Sequence, residues 1–239
     1  MTAMGNRERW PSGLGAWDAL AIGDEALVDT VSDWLADEDR LGAGYELRRR
    51  QFKELDLSDP LVVQLLTGRA FDEVEEAHIN LVRLPTRSRL VLMPKGSNLE
   101  LEPHDIGIGI SQVIPVLVTA LAGAGVLSAI EQPELHLHPK LQAELGDLFI
   151  DSAISRGQRF LIETHSEHLI LRLLRRIRET HDGELPPGHS GLTPEQVSVV
   201  YIEKVEDDVR AYPLRIDETG EFLDRWPKGF FEERAEELF

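Results

Sequence analysis

The spacing of apolar positions changes along this chain, and the changes locate its elements. Val126-Leu127-Ser128-Ala129-Ile130 ends on Glu131, and Arg159-Phe160-Leu161-Ile162 ends on Glu163. Short apolar runs bounded by breakers read as buried strands. Between them Leu141, Leu145, Leu148, Phe149 and Ala153 recur at helical spacing. Pro139 suits the first helical position of that stretch and Gly157 suits its stop. A strand–helix–strand unit of this length predicts a right-handed parallel crossover. The crossover carries Glu131, Gln132, Glu134, His136 and His165 to one edge, beyond the carboxyl ends of the strands. Open α/β sheets hold their ligands there.

The remaining pattern is less sharp. Residues 1–24 show no clear period. A helix is predicted over Asp24 to Asp39, with Leu27, Val31, Trp34 and Leu35 as its apolar stripe. Tyr45 to Leu55 partly alternates, and Ala77 to Met93 reads as two strands turning at Pro85-Thr86. Ser111 suits the N-cap of a helix reaching about Ala122, and Pro115 requires that helix to start close by. Gly107 and Gly109 permit close backbone approach before it, and a glycine-flanked helix N-terminus attracts anions. An ordinary glycine loop leading into a buried helix would look the same. Thr164 and Glu167 have capping-box spacing. Leu169, Leu173 and Ile177 then form a stripe opposite Arg172, Arg175 and Arg176. Gln196 to Glu203 and Val209 to Ile216 read as a hairpin, and Glu232 to Glu237 as a short exposed helix. Trp226, Phe230 and Phe231 read as docking or core aromatics.

Composition narrows the classes. A net charge of −18 argues against a broad nucleic-acid surface. Local basic clusters (Arg48 to Arg50 with Lys53; Arg83, Arg87 and Arg89; Arg172, Arg175 and Arg176) leave such contact open, but solvated faces balancing nearby acids are the better explanation of them. With no cysteine, disulfides and thiolate metal sites are excluded, which suits a cytoplasmic protein. The N-terminus has no apolar leader segment, and the longest apolar stretch, Val113 to Val126, is too short to span a bilayer.

Several of these segments together resemble the C-terminal half of an ABC-type ATPase head, in the soluble branch of OLD-like, RecF-like and SMC-like proteins. Ser128 to Glu134 resembles Walker B, Leu135 to Pro139 the D-loop, and Thr164-His165-Ser166 the switch-histidine motif. Upstream, Asp105 to Gln112 is similar to the signature motif, so the four motifs stand in the family's order. Asp224 to Phe231 also resembles the end of a bacterial branch of AAA-type ATPases. The resemblance implies an α/β fold: a partial P-loop NTPase with parallel core strands, an N-terminal helical and hairpin insertion, and a C-terminal β-hairpin. It divides the chain into a lead and insertion (1–104), a motif-bearing core (105–182), and a hairpin with acidic tail (183–239).

The resemblance also implies the chemistry. ATP and Mg²⁺ would bind with Glu131 holding the metal through water and Gln132 in the position that polarises the attacking water. A glutamine orients water but is not a carboxylate base, which implies slow turnover. Glu134 is a candidate for the missing carboxylate. His165 would sense the γ-phosphate, and Gly107, Gly109, Ser111 and Gln112 would reach the nucleotide of an opposing head in a dimer.

One motif is missing from the sequence. No G-x-x-x-x-G-K-[ST] occurs, and Pro94-Lys95-Gly96-Ser97 lacks the glycine loop. Without it there is no cradle of backbone N–H groups and no lysine for the β- and γ-phosphates. The expectation is therefore a fragment, a split subunit or an ATPase that has lost nucleotide binding, inactive alone. Two function classes stay open. One is a catalytic lobe completed by a Walker A-bearing lobe or subunit in a defence or DNA-maintenance assembly. The other is a non-catalytic scaffold keeping the head fold. His136-Leu137-His138 invites a metal reading but fits a D-loop better. A hydrolase elbow is rejected, because Gly109 to Val113 lacks the second glycine of G-x-S-x-G.

Overall fold

The computed structural model describes residues 7–67, 82, 84–206 and 208–225. In chain order these form α1 (Leu14–Ile22), α2 (Glu25–Ala36), β1 (Tyr45–Lys53), α3 (Pro60–Thr67), β2 (Thr86–Pro94), α4 (Ile108–Ala122), β3 (Leu127–Glu131), α5 (Pro139–Arg156), β4 (Arg159–Glu163), α6 (Glu167–Asp182), β5 (Val199–Val205) and β6 (Asp208–Leu214). The class is α/β, as expected. Strands β1 and β2 pair antiparallel, β3 and β4 pair parallel, and β5 and β6 form an antiparallel hairpin. Most of the strand expected before Pro85, with Arg83, lies outside the described residues. So do Trp226, Phe230, Phe231 and the expected acidic helix.

The β3–α5–β4 unit forms as its sequence pattern dictates. His138 caps α5, its Nδ1 accepting from the Lys140 amide at 3.3 Å, and Pro139 opens the helix. Gly157 closes it in the left-handed conformation, at φ 64°. Leu145 and Leu148 are fully buried in a core shared with Leu20 of α1, Leu35 of α2, Leu92 of β2 and Leu117 of α4. The strands themselves differ from expectation, because only one of their faces is covered. Ile130, Phe160 and Ile162 pack on the core, whereas Leu127 is 63% exposed and Leu161 66% exposed.

Two helix starts also depart from the sequence reading. Helix α4 begins at Ile108 with Gly107 as its N-cap, so Ser111 is inside the helix and donates its hydroxyl to the Ile108 carbonyl at 2.9 Å. Pro115 therefore lies mid-helix. Its ring stacks where α1 begins, about 3.3 Å from where a side chain on Gly13 would sit. Tertiary packing overrides the usual exclusion of proline from a helix interior. Helix α6 is capped by Ser166, whose hydroxyl accepts from the Leu169 amide at 3.1 Å, not by a Thr164–Glu167 box.

The arginines of α6 are the third correction. Arg172 and Arg176 are not a solvated face but are packed against α5. Arg176 holds Asp147 through Nε and Nη2 at 2.7 and 2.8 Å, and Arg172 reaches the same carboxylate and Glu144. Burial pushes the Asp147 carboxyl up, but the Arg176 hydrogen bond and the charges of Arg172, Arg176 and His189 outweigh it, leaving the group below the usual carboxylate range. Among the described residues, the arginines of the front-third basic clusters are paired with acids in place. Arg49 pairs with Glu25 and donates to the Leu20 and Gly23 carbonyls that end α1, and Arg50 pairs with Glu100.

Candidate functional site

The parallel register sets Glu131 beside Glu163 at the carboxyl ends of β3 and β4. Both carboxylates are exposed, on the uncovered face of the sheet. The His165 imidazole is largely exposed as well, with Nε2 3.1 Å from Glu163 Oε1. The strand ends thus carry two carboxylates and one imidazole with little packed around them. That set can present acceptors and one donor to a ligand but does not enclose it.

The turn after β3 is held by unusual backbone. Gln132 and His136 both adopt left-handed φ, at 44° and 62°. Such conformations are uncommon for non-glycine residues and cluster at sites where surrounding structure enforces them. The Gln132 amide donates to the Glu163 carbonyl at 2.8 Å, which continues the β3–β4 ladder one residue past the strand and fixes the side chain at the edge. Glu134 points inward: it is 7% exposed, and its Oε1 accepts from the His165 amide at 2.8 Å. Its other oxygen is buried with no hydrogen-bond partner. His138 is occupied in capping α5, and among the described residues no three His, Asp or Glu side chains converge on a metal position.

The first turn of α4 meets the same turn from the other side. A Cβ on Gly109 would lie 2.4 Å from the His136 carbonyl oxygen, so only glycine permits this approach. Gly107 caps the helix from an exposed position. Ser111 and Gln112 follow along the helix, and neither hydrogen-bonds to the strand-end group. The structure therefore brings Glu131, Gln132, Glu134 and His165 to one edge, sets Gly109 against His136 and Leu137 in the turn, and leaves Ser111 and Gln112 without a hydrogen bond to the strand-end group.

Sequence reading missed two members of this constellation. Glu163 was legible in principle, as the acidic end of the second strand. Gln142, whose side chain bonds Leu137 after β3 and Ser166 after β4, was not, because a glutamine on an amphipathic helix carries no signal.

An acidic strand end, a tight turn and a histidine loop stand at the carboxyl edge of a β–α–β unit, the edge at which open α/β sheets hold their ligands. The family model described as "AAA domain, putative AbiEii toxin, Type IV TA system" matches residues 8–172. The chain belongs to that family. A second model, "Protein of unknown function (DUF3696)", matches residues 192–239. No curated protein matches the chain. Among solved structures it is similar to one titled "Structural biochemistry of ATP-driven dimerization and DNA stimulated activation of SMC ATPases" (11% identity, TM-score 0.46, covering 90% of this chain and 91% of that one). It is similar also to an SmcHead bound to the C-winged helix domain of ScpA (10%, 0.46, 80% and 43%). A third is an Smc head domain with an extended coiled coil bound to the C-terminal domain of ScpA, derived from Pyrococcus furiosus (10%, 0.45, 90% and 37%). The family match, not these likenesses, carries the assignment. Among the described residues no helix is long and apolar enough to cross a membrane.

Proposed function

We propose that this chain is one lobe of an AAA/ABC-type ATPase head, and that a Walker A-bearing lobe or subunit completes a composite ATP site on it. One observation carries this reading: a parallel strand pair with its acidic ends and one face uncovered. Parallel sheets in folded proteins are covered on both faces, yet here Leu127 and Leu161 are 63% and 66% exposed. A two-stranded sheet is also marginal in isolation. A lobe supplying further strands and a covering layer satisfies both constraints, and places its phosphate loop beside Glu131.

The residues present fit one side of a nucleotide site. Glu131 is an exposed carboxylate suited to a water-mediated contact with Mg²⁺, and Gln132 can orient a water without deprotonating it. His165 offers a donor to a phosphate oxygen, with Glu163 orienting its ring. Glu134 acts through the loop, since both its exposure and its bond to the His165 amide turn it away from solvent. When bound, Mg²⁺ neutralises charge on the phosphate oxygens, while catalysis otherwise rests on positioning. The phosphate cradle itself is not in this sequence, so the chain alone holds neither ATP nor Mg²⁺ productively. The missing P-loop equally supports the second reading, a non-catalytic scaffold that keeps the head fold. A signature role for Gly107, Gly109, Ser111 and Gln112 in a dimer of heads belongs to the first reading, as does a setting in phage defence or DNA maintenance.

The test is reconstitution with a Walker A-bearing lobe, joined in cis or added as a separate subunit. Mg²⁺-dependent ATP hydrolysis is expected from the mixture and from neither component. Glu131→Gln abolishes it, and Gln132→Glu maintains or raises it. His165→Ala lowers kcat by ~10²–10³-fold, the range for one preorganised donor. Unchanged turnover in Glu131→Gln would show that this strand end is not the metal edge, and a mixture with no hydrolysis favours the scaffold.

A further inference from the structure

We infer that Gln142 is a positioning residue for the His165 loop. The inference rests on the proposed function for its catalytic consequence, but its geometry stands alone. Gln142 lies on the first turn of α5, and its side-chain amide bridges two segments that the chain separates. Its Nε2 donates to the Leu137 carbonyl at 3.0 Å, in the turn that follows β3. Its Oε1 accepts from the Ser166 hydroxyl at 2.7 Å, in the loop that follows β4. Ser166 Oγ in turn accepts from the Leu169 amide at 3.1 Å and so caps α6.

The loop Thr164-His165-Ser166 is tied at each position. The His165 amide is taken by Glu134, the Ser166 amide by Thr164 Oγ1 at 3.0 Å, and the Ser166 hydroxyl by Gln142. The His165 side chain is 73% exposed and meets Glu163 Oε1 at 3.1 Å, so Glu163 orients the ring while the backbone that Gln142 and Glu134 hold sets where the ring starts from.

Only an amide of this length meets both demands. The Leu137 carbonyl needs a donor. With Nε2 committed to that carbonyl, Oε1 is the atom facing Ser166, so the Ser166 hydroxyl donates its proton there while its oxygen accepts from Leu169. A glutamate there would turn an oxygen toward the Leu137 carbonyl, acceptor against acceptor. A methionine keeps the length and makes neither bond.

The experiment compares wild type, Gln142→Met, Gln142→Glu, Ser166→Ala and the Gln142→Met/Ser166→Ala pair. Amide hydrogen exchange is first measured on the chain alone. Exchange at His165 and Ser166 is expected to rise about 5–10-fold in either Gln142 variant, the loss expected for one net hydrogen bond, with mid-helix amides of α5 and α6 unchanged. The double variant should fall short of the sum of the singles, since the Gln142–Ser166 bond is common to both and only the bonds to Leu137 and Leu169 are separate. In the reconstituted ATPase, kcat should fall about tenfold at unchanged KM. Unaltered exchange at His165, or strictly additive effects of the pair, would overturn the inference whatever the ATPase does. Altered exchange with no hydrolysis from any wild-type mixture leaves the inference standing and removes the proposed function.

Discussion

Replacing Asp147 by Asn keeps the shape of the α5–α6 contact and removes one charge from its centre. In the native chain the Asp147 side chain is 5% exposed and that of Arg176 4%, joined by two hydrogen bonds of 2.7 and 2.8 Å. Removing one partner of a buried pair costs about 3–5 kcal/mol, because the other charge stays buried and uncompensated. Here Arg176 keeps Glu179 at 2.6 Å and Arg172 keeps Glu144 at 3.0 Å, which places the expected loss near the lower end, about 3 kcal/mol. At roughly 2–4 °C per kcal/mol for a chain of this size, Tm should drop by roughly 6–12 °C. Urea unfolding followed by circular dichroism measures the loss directly, as a lower midpoint at constant slope. The pH dependence is a second reading. A carboxyl whose folded pKa is depressed contributes fully above its unfolded value and loses that contribution as pH falls through the folded one. The gap between wild type and Asp147→Asn should therefore hold constant near neutrality and close below about pH 4, where unfolded carboxyls protonate. Pairing Asp147→Leu with Arg176→Met should recover much of the stability, as apolar replacement of buried pairs does. A single Asn variant within about 0.5 kcal/mol of wild type at pH 7, or a gap that persists in acid, would refute the reasoning.

Three further substitutions probe the edge itself. Gly109→Ala would push a methyl to 2.4 Å from the His136 carbonyl, so urea unfolding should show a loss of about 1–3 kcal/mol instead of the gain alanine brings to an ordinary helix; a neutral result would deny the close approach. Leu127→Ser with Leu161→Ser should change the chain's own stability by no more than about 0.5 kcal/mol each while weakening affinity for the Walker A-bearing lobe at least ~10-fold in calorimetry; undiminished affinity would move that contact elsewhere. Ser111→Arg should leave the fold intact, since Ser111 bonds only within its own helix, yet abolish nucleotide-dependent association of heads in sedimentation; a variant that associates like wild type removes the signature role.

How much of this was legible in the sequence follows from how local each cause is. Helix α5 announced both its ends, since proline at its start and glycine at its stop are local requirements and the structure uses both. The gathering of Glu131, Gln132, Glu134 and His165 was equally legible, because a parallel crossover fixes where its strand ends point. Helix α4 was misread by four residues, its N-cap being Gly107 and not Ser111. Its cap is a glycine without a side-chain bond, and its mid-helix proline is tolerated only because α1 packs on the ring. The arginines of α6 were misread because charge at helical spacing looks solvent-facing until the partner helix supplies Asp147 and Glu144. Gln142 was invisible for the same reason: its role exists only once Leu137 and Ser166 have been folded to either side of it.

The distribution of satisfied and unsatisfied groups then separates what this chain completes from what it leaves open. Between α5 and α6, each buried arginine has a carboxylate, and the shared network closes on itself without help from solvent. At the other end of α5 the pattern inverts. The strand-end carboxylates Glu131 and Glu163 are exposed, an oxygen of Glu134 is buried without a partner, and two leucines of the parallel pair face outward. An isolated domain would ordinarily bury those leucines, since each fully buried side chain of this kind is worth about 1.5–3 kcal/mol. They stay outside, while the loop at the carboxyl end of the same strands is pinned by the hydrogen bonds of Glu134, Thr164 and Gln142. Under the proposed function such a surface is preorganised: the completing lobe would bury the leucines without first having to arrange the loop, so less of its binding energy would be lost to ordering.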